Sequence, residues 1–163
     1  MEFSEIAQRI QAACPEAVLS VDDTAGSVFV SADHWLSVAE YLKTDSETVF
    51  DVLMCLTGYD RGAGDSLGVA YNLESRRYTH KLEVCIEVPR DNCVIPSVAH
   101  LWRTADWHER EAYDLFGITF ESHPDLRRIL LPVDWEGYPL RKDYQTPEFY
   151  HGIPVPKDKR GWE

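Results

Sequence analysis

The sequence predicts an α+β fold, with a mixed or antiparallel sheet that carries helices on one face and an extended C-terminal arm. In residues 67–73 and 82–88 every second side chain is large and apolar, a pattern typical of strands with one buried face. Helical patterns stand before and after these strands without the strand–helix alternation of a doubly wound sheet. The chain is therefore divided into an α+β domain over residues 1–131 and an arm over residues 132–163.

The first half of the domain contains a helix, a hairpin, a second helix and a strand. In order, these are predicted at residues 3–13, at 18–21 with 28–30, from Ser31 as the N-cap to about Lys43, and at 49–56. The second helix is expected to bury Trp35, Leu36, Ala39 and Leu42, which fall on one face. Glycines then predict a loop in the sequence GYDRGAGDSLG, residues 58–68.

The second half of the domain contains the two alternating strands and two helices. Pro89 ends the second strand, and Pro96 with Ser97 begins a short predicted helix that runs to about Trp102. A longer helix is predicted at 105–116, followed by Gly117 at the position where a left-handed glycine often ends a helix.

Composition excludes several classes of protein. The chain of 163 residues has a formal net charge of −12, and its first 60 residues hold 11 acidic and 2 basic side chains. An acidic chain without a basic stripe is unsuited to nucleic acid or anionic lipid. No signal peptide or membrane span is recognisable, so a cytosolic location is expected. The four cysteines form no CxxC pair, which predicts free thiols and no zinc or iron–sulfur site.

The C-terminal arm combines many prolines with many aromatic rings. Five of the nine prolines lie between Pro132 and Glu163, and no helical or strand period is visible there. Segments that stay disordered are usually poor in aromatic residues. We therefore expect the arm to bury its rings in a partner protein, and the alternative is that it folds back over its own sheet.

The sequence WHEREAYDLFG, residues 107–117, is the most unusual stretch of the domain. On a helix, Asp106, Arg110 and Asp114 share one face. Glu111 lies between Trp107 and Leu115 on another face, so it is expected to be either partly buried and paired or directed into an interface.

Catalytic and metal-binding interpretations of this stretch are not supported by its spacing. Glu109 and Glu111 point roughly 200° apart on a helix, so they cannot flank one scissile bond. His108 and Glu111 have a usable spacing for a metal, but neither HExxH nor a second ExxH is present. A stand-alone enzyme or ligand-binding protein would need a pocket built from His100, His108, Glu111 and His123.

The stretch EREAYDLFGITFESHPDLRRIL, with LPVDWEGYPLRKDY after it, resembles the C-type (30 kDa-type) subunit of the proton-pumping NADH:quinone oxidoreductase, respiratory complex I. The similarity runs from about Pro96 to Tyr144, whereas residues 1–95 resemble the family only in length and layout. The motif and interface residues carried by the resemblance are Glu109, Arg110, Glu111, Asp114, Leu115, Phe116, His123, Arg127, Arg128, Ile129, Leu130, Trp135, Arg141, Lys142, Asp143 and Tyr144.

The resemblance implies a non-catalytic subunit of the complex's peripheral arm, which supports electron transfer from NADH or ferredoxin to quinone, coupled to proton translocation. Its implied partners are the large D-type subunit, which shapes the quinone pocket, and the iron–sulfur subunits. Iron–sulfur clusters, FMN and quinone are expected in those partners and not in this chain. The implied location is peripheral, on the cytoplasmic side of the inner membrane.

The family resemblance also suggests a specific role and one alternative. Glu109, Arg110, Glu111 and Asp114 are expected to lock the helix to Arg127, to Arg128 or to a neighbouring protein of the complex. Related chains occur in membrane-bound nickel–iron hydrogenases, which provide the alternative assignment.

Overall fold

The computed structural model describes residues 1–62 and 66–155 of the chain. The helices are α1 (Phe3–Ala13), α2 (Trp35–Thr44) and α3 (Arg103–Phe116). The strands are β1 (Val18–Asp22), β2 (Ser27–Val30), β3 (Val52–Asp60), β4 (Ser66–Glu74), β5 (Lys81–Pro89), β6 (Val94–Pro96), β7 (Thr119–Glu121), β8 (Phe149–Tyr150) and β9 (Ile153–Pro154).

Five strands form the central sheet in the order β1-β2-β5-β4-β3. All neighbours are antiparallel except β2 and β5, which run parallel. The sheet is therefore mixed, which confirms the predicted fold class. Two smaller pairs accompany it, a parallel pair of β6 and β7 and an antiparallel pair of β8 and β9.

The core lies on the sheet face where the apolar residues of β4 and β5 alternate. Leu67, Val69, Tyr71 and Leu73 are buried, as are Leu82, Val84, Ile86 and Val88. Trp35 of α2 packs on Tyr71, with a ring separation of 4.4 Å. Burial of these large apolar side chains is the main favourable term for the domain.

Most element predictions are confirmed, and the boundaries differ where local patterns were ambiguous. Helix α1, the β1–β2 hairpin, strands β4 and β5 and helix α3 occur where expected. In the second helix a short 3₁₀ turn comes first, and the Ser31 hydroxyl meets His34 Nδ1 at 2.9 Å instead of capping a backbone N–H. Val38 is fully buried, whereas the predicted Leu36 is only half-buried.

Three other features differ from the prediction. The strand expected at 49–56 lies at Val52–Asp60, so the predicted loop at 58–68 is much shorter. The helix expected from Pro96 and Ser97 to about Trp102 is absent, because this segment continues from β6 as an irregular turn. Strand β6 and its partner β7 were not predicted, since three-residue strands leave no visible period.

The arm beyond residue 131 is largely irregular up to residue 155, apart from the short β8–β9 hairpin. Part of it returns to the domain. The Leu140 N–H donates to the Leu115 carbonyl (3.2 Å) at the end of α3. The prediction for residues 156–163 lies outside the described residues. Within the part of the chain that is described, no helix is long and apolar enough to cross a membrane.

Candidate functional site

Helix α3 buries three charged side chains, which is unusual for a helix of 14 residues. Glu109 and Asp114 are fully buried, and Arg110 is 7% exposed. A buried charge is costly unless hydrogen bonds or an opposite charge compensate it. All three side chains contact segments outside the helix, so α3 positions the chain that surrounds it.

Asp114 holds the first turn of the segment that leads to the arm. Its Oδ2 accepts hydrogen bonds from three successive backbone N–H groups, those of Ile129 (3.0 Å), Leu130 (2.7 Å) and Leu131 (2.9 Å). Its Oδ1 accepts from Arg128 Nη1 at 2.7 Å. Burial opposes ionisation of Asp114, but these donors outweigh it and hold its pKa below the ordinary value. The carboxylate is therefore charged and saturated with donors.

Arg128 carries this connection into the arm. Its Nη1 also donates to the Asp114 carbonyl (3.1 Å), and its Nη2 donates to the carbonyls of Trp135 and Gly137 (both 3.1 Å). The guanidinium lies 5.4 Å from the ring centre of Tyr138. One side chain thus satisfies carbonyl groups of both the helix and the arm, which fixes their relative position.

The C-terminal end of α3 is capped by the arm. Arg141 Nε donates to the Phe116 carbonyl (2.5 Å), and the guanidinium stacks on Tyr138 at 4.7 Å. Gly117 has φ +71°, and a Cβ there would collide with the Tyr138 ring. The last carbonyls of a helix have no partner within it and attract cations. The observed positions of Tyr138 and Arg141 therefore require a glycine at residue 117.

A second ion-pair network ties the arm to the sheet. The Arg90 guanidinium pairs with Asp60, which is 2% exposed at its side chain, and with Asp143 of the arm at 3.2 Å. The Lys142 N–H donates to Asp60 Oδ2 at 2.8 Å. Lys142 Nζ in turn donates to the Arg61 carbonyl (3.2 Å). The contacts of residues 138–143 correspond to the alternative in which the arm folds back on its own domain.

Glu109, in the middle of α3, fixes the helix to the turn after β6. Its Oε2 accepts from the Ser97 hydroxyl (2.6 Å) and its Oε1 from the Val98 N–H (2.8 Å). Burial raises the pKa of Glu109 to about 7, although the hydrogen bonds from Ser97 and Val98 act in the opposite direction. His123 Nε2 lies 3.8 Å from the same carboxylate. Ser97 had been expected to begin a helix, so this contact was missed.

Only part of the predicted lock is formed by direct pairs within the chain. Asp114 pairs with Arg128 as expected, whereas Arg127 pairs with the exposed Asp125. Arg110 reaches Arg127 only through its carbonyl, to which Nε donates at 3.2 Å. Glu111 is exposed, so it is not the partly buried and paired carboxylate that was one of its two predicted states.

The other predicted site residues divide between the inside and the surface. Leu115, Phe116, Ile129, Trp135 and Tyr144 are half-buried, and Lys142 and Asp143 are exposed. The backbone N–H of Leu130 donates to Asp114, but the side chain of Leu130 is 61% exposed. Large exposed apolar side chains on α3 and the segment after it are Trp107, Leu130, Val133, Leu140, Phe149 and Ile153.

The residues needed for a stand-alone ligand site are not brought together. His108 and Glu111 line a cleft of about 170 Å³ between β3 and α3, and His108 Nδ1 accepts from the Leu56 N–H (3.2 Å). The His123 side chain is instead buried beside Glu109, and its Nε2 meets the Asp106 carbonyl at 3.1 Å. His100 is exposed. In residues 1–62 and 66–155, no cluster of three His, Cys, Asp or Glu side chains is arranged to hold a metal.

Comparison with protein families and curated proteins gives consistent results. A family described as the 30 kDa subunit of respiratory-chain NADH dehydrogenase matches residues 28–150. The C-type subunit of the NADH-quinone oxidoreductase of Chloroherpeton thalassium is 53% identical over 127 residues, which are 77% of this chain and 52% of that protein. Its namesake from Chlorobium phaeobacteroides is 49% identical over 78% of this chain and 77% of that protein. The J-type subunit of the chloroplast NAD(P)H-quinone oxidoreductase of Chaetosphaeridium globosum is 46% identical, over 74% and 73%. The chain thus spans about half the length of the first of these relatives.

Solved structures with the same fold include a trypsin-resistant fragment of Nqo5. It is 27% identical, with a TM-score of 0.63, and the match covers 77% of this chain and all of that fragment. A chain of the membrane-bound sulfane sulfur reductase, an archaeal respiratory membrane complex, has a TM-score of 0.71 at 23% identity, over 89% and 86% of the two chains. The second likeness concerns the fold alone.

Proposed function

Since the chain belongs to the family of the 30 kDa subunit of respiratory-chain NADH dehydrogenase, we propose that it is the non-catalytic C-type subunit of a quinone oxidoreductase. In this role it supports electron transfer from NADH or ferredoxin to quinone, coupled to proton translocation. Relatives that are 46–53% identical carry the names of quinone oxidoreductase subunits. Their names favour this assignment over the nickel–iron hydrogenase alternative.

The proposed partners are the large quinone-pocket subunit and the iron–sulfur subunits of the peripheral arm of the complex. Those partners would carry the FMN, the iron–sulfur clusters and the quinone site, and this chain would attach to the cytoplasmic face of the inner membrane through them. The present chain would contribute to the shape of the complex and to the orientation of those partners.

One observation supports docking most directly: the segment that leads into the arm is fixed from within and exposes apolar side chains. Asp114 and Arg128 hold the segment that contains Leu130, yet the side chain of Leu130 is 61% exposed. Val133, two residues after Leu131, is 94% exposed. Exposed apolar side chains on a rigid support are typical of an interface that is complete only in an assembly.

The test is a mild-detergent purification of the tagged full-length chain from its native membranes, with the accompanying subunits identified by mass. We expect the quinone-pocket and iron–sulfur subunits to be recovered in amounts equal to the tagged chain. Recovery of the chain alone would refute the proposed function. Recovery with the large protein of a nickel–iron hydrogenase would favour the alternative.

A matched pair of variants tests the position of the interface. Leu130→Ser removes an exposed leucine beside the arm, and Leu19→Ser removes one of similar exposure (65%) from β1 in the acidic part of the chain. If a partner buries Leu130, its loss removes roughly 2 kcal/mol of apolar burial and weakens association about 30-fold. Equal recovery of partners with both variants would place the interface elsewhere.

A further inference from the structure

The arm contains a small pocket to which the proposed function assigns no ligand. It lies between residues 134–136 and the β8–β9 hairpin, and has a volume of about 230 Å³. Trp135, Phe149 and Tyr150 supply aromatic rings to its lining, and Asp134 and Glu136 supply carboxylates. The volume is below the range of roughly 300–1,000 Å³ that small-molecule sites occupy. A single side chain is a better match in size.

The rings are arranged as open walls and not as a closed stack. Trp135 and Tyr150 have their centres 5.2 Å apart with their planes inclined at 46°. Phe149 is 62% exposed, so much of its surface remains available for contact. Aromatic faces carry a negative quadrupole and attract cations.

The two carboxylates give the pocket a negative charge. Asp134 accepts from Tyr150 Oη (3.0 Å) and meets His151 Nε2 at 2.7 Å. The hydrogen bond from Tyr150 holds the pKa of Asp134 below its ordinary value, so this carboxylate is ionised. Its two oxygens offer about four acceptor positions, which leaves capacity for another donor. The side chain of Glu136 has no hydrogen bond or ion pair within the described residues.

The arginine that contacts residue 135 does not neutralise this pocket. Arg128 donates to the carbonyl of Trp135, but its charge is already paired with the buried carboxylate of Asp114. The same arm also stacks guanidinium groups on a ring, because Arg128 and Arg141 both lie over Tyr138, at 5.4 and 4.7 Å. Stacking of arginine on an aromatic face is thus a contact that this segment already contains.

We propose that the pocket of Trp135, Phe149, Tyr150, Asp134 and Glu136 binds an arginine side chain of the partner that docks on the arm. A planar guanidinium can stack on a ring and donate to a carboxylate at the same time, which a lysine ammonium cannot do as well. This inference rests on the proposed function, since it names the partner chemistry that the arm receives. The pocket would orient the partner, because charge pairs at an interface chiefly fix register.

The test is a titration of the isotope-labelled full chain with N-acetyl-arginine amide, followed by NMR at the Trp135 indole N–H. The uncharged N-acetyl-citrulline amide has nearly the same shape and serves as the reference ligand. We expect a saturable shift with the arginine probe, with a Kd in the millimolar range, and none with citrulline. Glu136→Gln and Phe149→Leu should each weaken binding about two- to fivefold. Glu121→Gln, at an exposed acid on β7, should leave it unchanged.

Equal shifts with both probes, or shifts unchanged by Glu136→Gln and Phe149→Leu, would overturn the inference. The titration needs no partner, so its failure is distinct from failure of the proposed function. A chain that recovers its partners but gives no arginine-specific shift refutes the pocket alone. A chain that gives the shift but is recovered alone from membranes refutes the proposed docking and the partner origin of the arginine.

Discussion

Replacing Asp114 by Asn tests whether the buried carboxylate holds the arm in place. The substitution keeps the size of the side chain and removes its charge. Asp114 is fully buried and accepts hydrogen bonds from three backbone N–H groups and one guanidinium. An Asn side chain has one carbonyl oxygen, so its NH₂ group must face either the backbone donors or Arg128. N–H donors then face other N–H donors in the protein interior.

The expected loss of stability follows from this geometry. Breaking one partner of a buried ion pair typically costs about 3–5 kcal/mol, because the other charge stays buried without compensation. The side chain of Arg128 is 15% exposed, so it can regain some hydration. We therefore expect Asp114→Asn to lower the free energy of unfolding by about 3 kcal/mol.

The assay is urea unfolding of the full chain, with hydrogen exchange at the backbone amides of Ile129, Leu130 and Leu131. These amides should lose protection in Asp114→Asn, because their acceptor is weakened. Asp125→Asn is the matched control, since Asp125 pairs with Arg127 on the surface, where the side chains are 54% and 71% exposed. The control should change stability by less than about 1 kcal/mol. If the two variants had equal effects, the buried carboxylate would not hold the arm.

Three further predictions concern α3 and the glycine that ends it. Burial raises the pKa of Glu109 to about 7 from 4.5, so the folded chain keeps a proton that the unfolded chain releases; stability should fall by up to about 3 kcal/mol as pH rises from 4.5 through 7. In urea titrations at several pH values, Glu109→Gln should lack that slope, and an unchanged slope would contradict the assignment. Gly117→Ala should lower the melting temperature more than Gly26→Ala, because both have φ +71° but only Gly117 has the Tyr138 ring against it; equal shifts would exclude the ring as the cause. Arg110→Ala should reduce the amount of complex assembled in membranes and leave quinone reductase activity per complex unchanged, and an inactive assembled complex would refute a structural role.

The sequence predicted the parts of the fold that carry a long, regular pattern. Strands β4 and β5 have nine residues each and carry a large apolar side chain at every second position, so their buried face was evident. The strand predicted over residues 49–56, in contrast, was misplaced. Its apolar run has no period of two, and Val49 adopts a positive φ of 40°, which an apolar pattern does not reveal. Tertiary packing therefore set the boundaries of this strand.

The charges of α3 were identified from the sequence, but their partners were not. Asp114 and Arg128 were both singled out, and they do pair. The three backbone donors to Asp114 were beyond prediction, since backbone groups have no sequence signature. Glu111 seemed the more enclosed carboxylate because bulky residues flank it on the helix. The buried one is Glu109, since the turn at Ser97 and Val98 covers that side.

The choice of charged groups for this lock follows from the irregular backbone of the arm and of the segment that leads to it. A segment without helix or sheet has carbonyl and N–H groups that need partners from elsewhere. Asp114 supplies an acceptor to three such N–H groups, and Arg128 supplies donors to two arm carbonyls and one helix carbonyl. Apolar side chains of the same size could fill the space but could satisfy none of these groups. Contacts within the chain already order this segment. The binding of a partner therefore does not include the entropic cost of ordering it. Asp114→Asn should therefore weaken assembly by more than the apolar contact area alone would account for.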